Sequence, residues 1–136
     1  MFELEVNAEF CAAHAIVIYG EREAIHGHNW QVTLTIAGPN LNQDGLLCDF
    51  HEVQSVLNLS IDGFQNTNLN SVPPFDQLNP TTEHVAKYIA EDCQKLLRKM
   101  LPRGAHVSAC RVTEAAGCAA TYRPRSPGST QANPHP

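Results

Sequence analysis

Glu23-Ala24-Ile25-His26-Gly27-His28-Asn29-Trp30 runs directly into Gln31-Val32-Thr33-Leu34-Thr35-Ile36. Apolar residues at every second position give this stretch the period of a half-buried β-strand. Side chains at i and i+2 of a strand project to one face, so the imidazoles of His26 and His28 point the same way. Gly27 between them lacks a side chain, which allows a close backbone approach. Upstream, Phe2, Leu4, Val6, Ala8 and Phe10 alternate with Glu3, Glu5, Asn7 and Glu9, a second strand, and His14 closes that run. The two strands are expected to be antiparallel neighbours joined by a connection over 15–25. His14, His26 and His28 together form the donor set of a three-histidine zinc site, which keeps a fourth position open for water or substrate.

The chain of 136 residues fits one domain with a modest core. Its 9 Lys and Arg against 14 Asp and Glu leave a net charge of −5, with no basic run, which argues against a nucleic-acid partner. No apolar run is long enough to span a membrane, and the first residues carry neither the positive nor the apolar part of a secretory signal. The five cysteines, Cys11, Cys48, Cys93, Cys110 and Cys118, are odd in number and contain no C-x-x-C pair. That fits reduced thiols in a cytoplasmic protein. All but Cys11 read as buried small hydrophobes.

Asp49 opens a helical pattern in which Phe50, Val53, Val56 or Leu57, and Ile61 recur on one face until Asp62-Gly63 ends it. Residues 63–79 read as a loop. A longer helix is expected from Asn79-Pro80, with Asn79 as N-cap and Pro80 in the first helical position. Its apolar stripe is Val85, Ile89, Cys93, Leu96 and Met100, and Pro102 and Gly104 stop it. Two more strands follow, at about 105–113 and 118–122. The tail 123–136, rich in Pro, Ser, Gly and Asn, is expected to be disordered. The order is ββααββ, an α+β domain over 1–122.

The motifs Phe10-Cys11-Ala12-Ala13-His14, His26-Gly27-His28-Asn29, Cys48-Asp49-Phe50, Pro80-Thr81-Thr82-Glu83 and Thr113-Glu114 occur in one order from near the start to about Tyr122. In that order and spacing they resemble the 6-pyruvoyl-tetrahydropterin synthase family, which includes bacterial 6-carboxy-tetrahydropterin synthases of queuosine precursor synthesis. The resemblance implies the tunnelling fold: a four-stranded antiparallel sheet with both helices on one face. The sheet edges pair between subunits into a barrel, as a trimer stacked into a hexamer. It implies Zn2+ on His14, His26 and His28, a pterin substrate held by Glu114 through two adjacent N–H donors, and further pterin contacts from Thr81 and Thr82.

The family's catalytic cysteine, four residues before the first histidine of H-G-H, is Arg22 in this chain. A variant pattern, E-x-x-H-G-H, is matched by Glu23; in that subgroup glutamate replaces the thiol and the enzyme is similar to an aldolase that cleaves the dihydroneopterin side chain. The family's Asp-His dyad is also missing. Counted without a gap from Asp49, its positions fall on Gln65 and Asn66, amides that do not titrate near neutral pH. A gapped placement on Ile61-Asp62-Gly63 keeps the aspartate and still loses the histidine. Glu23 is therefore the leading acid/base, with Glu21 and His84 as substitutes. The expected activity is a zinc-dependent lyase acting on 7,8-dihydroneopterin or its triphosphate. The rivals are 6-carboxy-tetrahydropterin synthesis and a pterin-binding module with little chemistry.

Overall fold

The computed structural model of the chain describes residues 1–125, so the expectation of a disordered tail lies largely outside the described residues. Four long antiparallel strands make the sheet: β1 (Phe2–His14), β4 (His26–Gly38), β6 (His106–Ala115) and β7 (Cys118–Tyr122). The connection after β1 folds into a small hairpin of β2 (Val17–Ile18) and β3 (Glu21–Arg22), whose turn places Tyr19 and Gly20 at positive φ. A two-residue strand, β5 (Thr67–Asn68), pairs parallel to β1. The sheet order is thus β5-β1-β4-β6-β7, five strands where four were expected. The ββααββ order holds for the larger elements.

β1 and β4 are both longer than their alternating sequences suggested. Their register runs from Phe2 opposite Gly38 to His14 opposite His26, with Phe10 opposite Trp30 and Ala12 opposite His28. Because directly paired residues share a face, His14, His26 and His28 continue the same face as Leu4, Val6, Phe10, Trp30, Val32, Leu34 and Ile36. That face is buried beneath the helices, while Glu3, Glu5, Glu9, Gln31 and Arg111 on the other face stay exposed. Phe2, at the strand start, is 46% exposed and does not join the core.

Helix α1 (Phe50–Asp62) begins where Asp49 accepts a hydrogen bond from the His51 N–H, and it buries Val53, Val56, Leu57 and Ile61. Phe50 was expected on that stripe, yet it sits in the first turn and is exposed. The segment between the helices contains β5 and a single 3-10 turn, Leu69–Ser71. Helix α2 (Thr82–Leu97) is capped by Thr81, whose hydroxyl accepts from the His84 N–H at 3.1 Å, and not by Asn79. Asn79 instead clamps Val17, accepting from its N–H and donating to its carbonyl. Val85, Ile89 and Cys93 face the core as expected, but the fourth position of the stripe is Leu97; Leu96 and Met100 are exposed. The helix ends at Leu97, with Arg98 as its C-cap, before Pro102 is reached.

Phe10 and Trp30 stack in parallel with centroids 5.7 Å apart, and Phe64, Phe75 and Tyr88 extend the aromatic packing from Phe10 toward α2. The buried Trp30 Nε1–H donates to the Ala12 carbonyl at 3.1 Å, so the indole enters the core with its polar atom satisfied. All five cysteines are free thiols; Cys93 and Cys110 are buried, Cys48 is half-buried, and Cys118, expected to be buried, is exposed on the edge strand β7. Among the described residues no helix is long and apolar enough to cross a membrane.

Candidate metal centre

The end of the β1–β4 ladder presents three imidazoles at the rim of the core. The ring centroids of His14, His26 and His28 lie 4.7 to 5.1 Å apart. Trp30 forms the floor, edge-on to His14 at 4.8 Å and to His28 at 5.6 Å. Two of the rings are oriented from behind. A carbonyl oxygen can only accept, so His14 donates from Nδ1 to the Pro80 carbonyl at 2.8 Å, and His26 donates from Nδ1 to the Ala24 carbonyl at 2.9 Å. In a neutral ring this arrangement leaves the Nε2 lone pair free, the tautomer a divalent metal requires. Burial lowers the His28 pKa, with Glu114 opposing the shift and His14 and His26 reinforcing it, which favours a neutral ring.

Glu114 joins this cluster. A β-bulge at this residue separates Thr113 and Ala115 in the pairing with β7, and bulges re-aim side chains next to sites. Its Oε1 lies 2.9 Å from His28 Nε2 and 3.5 Å from His14 Nε2, while its Oε2 accepts a short hydrogen bond from the Thr82 hydroxyl. Burial pushes the carboxyl pKa up, but the Thr82 hydroxyl, His14 and His28 outweigh it and hold the pKa below the usual carboxylate range. Despite the short distance to Oε1, neither Nε2 makes an aligned hydrogen bond; both are buried and unpartnered. Buried nitrogens without partners are costly, and a cation between them would satisfy both. One ligand atom from each of His14, His26, His28 and Glu114 falls within 4.8 Å of the others. Three nitrogens and an oxygen at this spacing fit zinc. His14 is 1% exposed and His26 40%, so the cluster opens on the His26 side.

The other expected site residues are placed unevenly. Thr82 is in the cluster through Glu114, and Thr81 is the helix cap. Glu23 lies beside His26, its Oε1 3.7 Å from Nδ1, the side away from the free Nε2. That same oxygen accepts from the Ile16 N–H at 3.1 Å. With Asn70 bonded to both the N–H and the carbonyl of Ala15, and Asn79 to those of Val17, three side chains hold consecutive residues 15–17. Gln65 and Asn66 are not brought to the imidazoles: the Gln65 side chain accepts from the Cys11 N–H, and the Asn66 N–H donates to the Cys11 carbonyl. Asn66 does line a shallow cleft on the outer side with Cys11, Gly27, His28 and Asn29. Gly27 was expected to allow a close backbone approach; among the described residues a Cβ there would meet nothing within 4 Å. The glycine leaves the floor of that cleft open.

Sequence reasoning assigned Glu114 to a ligand and missed its place among the metal donors. The available signal was its even spacing from Cys110 and Val112, which puts it on the inner face with the histidines.

Residues 3–125 match the model of the 6-pyruvoyl tetrahydropterin synthase family. The chain belongs to this family. A Bacillus subtilis 6-carboxy-5,6,7,8-tetrahydropterin synthase is 34% identical over 135 residues, covering 93% of this chain and 88% of the relative. A Pyrococcus furiosus dihydroneopterin monophosphate aldolase is 33% identical over 91 residues, covering 67% of this chain and 74% of the relative. Among solved structures, the Caenorhabditis elegans 6-pyruvoyl tetrahydropterin synthase superposes with a TM-score of 0.77 at 20% identity, covering 91% of this chain and 96% of that one. A Plasmodium vivax 6-pyruvoyltetrahydropterin synthase with a catalytic glutamate changed to alanine gives a TM-score of 0.70 at 20% identity, covering 89% and 96%. These structural likenesses establish the tunnelling fold, and the sequence relatives support a pterin-converting enzyme.

Proposed function

We propose that the protein is a zinc-dependent lyase that cleaves the side chain of 7,8-dihydroneopterin or its triphosphate in aldolase fashion, giving 6-hydroxymethyl-dihydropterin. The observation that carries this reading is the convergence of three imidazoles, two of them with unpartnered buried Nε2 atoms, beside the Glu114 carboxylate. His14, His26 and His28 would hold the metal, and zinc, when bound, supplies a Lewis acid for the oxygen of the reacting side chain.

The chain's own residues supply the rest. Glu114, turned toward a pterin, would accept its two adjacent N–H groups as a charge-assisted pair, with Thr82 holding one carboxylate oxygen and Thr81 at the same helix start. Glu23 would take the proton of a side-chain hydroxyl as the carbon–carbon bond opens, the departing two-carbon fragment leaving as an aldehyde with that oxygen as its carbonyl, and would return a proton to the carbon left on the pterin. Its proximity to His26 supports this role, as do the E-x-x-H-G-H spacing and the Plasmodium vivax protein's catalytic glutamate. Gln65 and Asn66, the remaining candidates, are bonded to the Cys11 backbone and would serve as polar wall and not as a proton relay. The edge of β1 before its pairing with β5 at Ala12, and the outer edge of β7, fit pairing with further copies into a trimer or hexamer.

The 34% identity to the Bacillus subtilis enzyme favours a second reading, 6-carboxy-tetrahydropterin synthesis from the triphosphate. The two separate in one assay. Protein of measured zinc content is incubated with dihydroneopterin and with its triphosphate, and products are resolved by chromatography. Hydroxymethyl-dihydropterin supports the first reading and a carboxylated product the second. Tight pterin binding without turnover of either substrate overturns both and leaves a binding module.

A further inference from the structure

We propose a second ligand site, an oxyanion-binding cleft for a phosphorylated small molecule, at the end of the sheet remote from the histidines. It lies between the C-terminal end of α2 and the start of β6. β6 begins opposite Ala37, nine residues along β4 from His28, or about 30 Å at the rise of an extended strand.

Three guanidinium-bearing residues line this cleft of about 580 Å3 from three separate segments: Arg98 at the α2 C-cap, Arg103 in the following turn, and Arg125 beyond β7. His106 stands beside them, and no aspartate or glutamate lines the cleft. This concentration occurs in a chain of net charge −5 with only 9 Lys and Arg. Among the described residues the ion pairs all involve histidines, so none of the three arginines is matched by a carboxylate. A helix C-terminus attracts a cation in its last turn. That accounts for Arg98, but not for Arg103 and Arg125, which lie off the helix.

The floor is polar. Gln94 accepts the Val107 N–H on its Oε1 at 2.7 Å, which fixes the amide and leaves its NH2 as a neutral donor. Planar guanidinium forks match phosphate oxygens and bind them in bidentate fashion. The cleft volume is in the range that takes small ligands. The site is independent of the metal centre and of the reaction assigned to it.

The test is calorimetric titration of the full chain with inorganic phosphate and with pyrophosphate, repeated on R98Q/R103Q and on His26→Ala. The prediction is saturable binding, stronger for pyrophosphate, that is retained in His26→Ala and weakened about tenfold or more in R98Q/R103Q. R98K/R103K, which keeps the charge without the fork, should fall between. All three arginines are exposed, and thermal melts check that each variant folds. Absence of saturable binding would overturn the proposal. Binding lost in His26→Ala but kept in R98Q/R103Q would also overturn it, by placing the anion at the histidines.

Discussion

Glu114 Oε1 lies 2.9 Å from His28 Nε2 without the alignment of a hydrogen bond, while its other oxygen is held by Thr82. One carboxylate thus stands where it can close the metal site or grip a ligand, and the two roles have different signatures. If it grips a pterin, Glu114→Gln keeps full zinc content and loses roughly 1.5–3 kcal/mol of pterin binding, the usual worth of a hydrogen bond to a charged group. Elemental analysis beside a pterin titration reads both. A fall in zinc content would instead make Glu114 a fourth ligand.

The three imidazoles predict about one zinc per chain in protein prepared without chelator. His14→Ala or His26→Ala should bring this close to zero. Metal that binds only the folded chain raises its stability by mass action, so chelation should lower the melting temperature of the native protein and not that of either variant. The single Trp30, edge-on to His14 and His28, gives an optical readout: its emission should change on titration with a paramagnetic divalent ion and stay flat in His26→Ala.

Glu23→Gln tests the acid/base assignment. Loss of a positioned general acid/base typically costs about 10²–10⁴ in rate, and zinc content should be unchanged. An amide can still accept from the Ile16 N–H through its oxygen, so the hold on residues 15–17 survives in this variant. A kcat equal to that of the parent would remove Glu23 from the chemistry and leave it as a support of that loop.

Burial pushes the Cys93 and Cys110 thiols up to about 12. In the unfolded chain a thiol ionises near pH ~8.5, so above that pH the native state retains protons that the unfolded state has lost. The stability from this source is complete below about pH 8.5 and declines as pH rises toward 12. Urea midpoints should therefore fall between pH 8 and 10, less steeply in Cys110→Ala. In native protein Cys11 and Cys118 should react with a thiol reagent while Cys93 and Cys110 stay silent until unfolding.

Gly27→Ala should leave the melting temperature nearly unchanged, since the added methyl meets nothing within 4 Å. Thr81→Ala should cost about 1 kcal/mol through loss of the α2 N-cap. The opposite ranking would mean that the protomer depends on the open floor of the outer cleft more than on its helix cap.

The strands and the helical faces were legible because burial enforces their periods. Phe10, Trp30, Val85 and Ile89 fall where alternation and the 3.6-residue repeat put them. The three histidines were legible for the same reason, being in phase with the core residues beside them. Capping was harder to place, since Asn79 and Thr81 are both good caps by type and only the distant backbone of Val17, which engages Asn79, decides between them. The inward side of Glu114 was legible from its even spacing to Cys110 and Val112, whereas the bulge against β7 that helps aim it at His14 and His28 is encoded by no local pattern. Leu97 takes the fourth position of the α2 stripe because it continues the four-residue spacing of Val85, Ile89 and Cys93, while Met100 lies beyond the end of the helix.

The bond from His14 Nδ1 to the Pro80 carbonyl reaches from the last residue of β1 to the residue just before the α2 cap. It ties a candidate metal donor to the segment carrying Thr81 and Thr82, and Thr82 in turn holds one oxygen of Glu114, the carboxylate proposed to grip the heterocycle. On the proposed reading this tether gives the two sites a route to couple, and any factor by which the ion changes affinity for the heterocycle is the factor by which the heterocycle changes affinity for the ion.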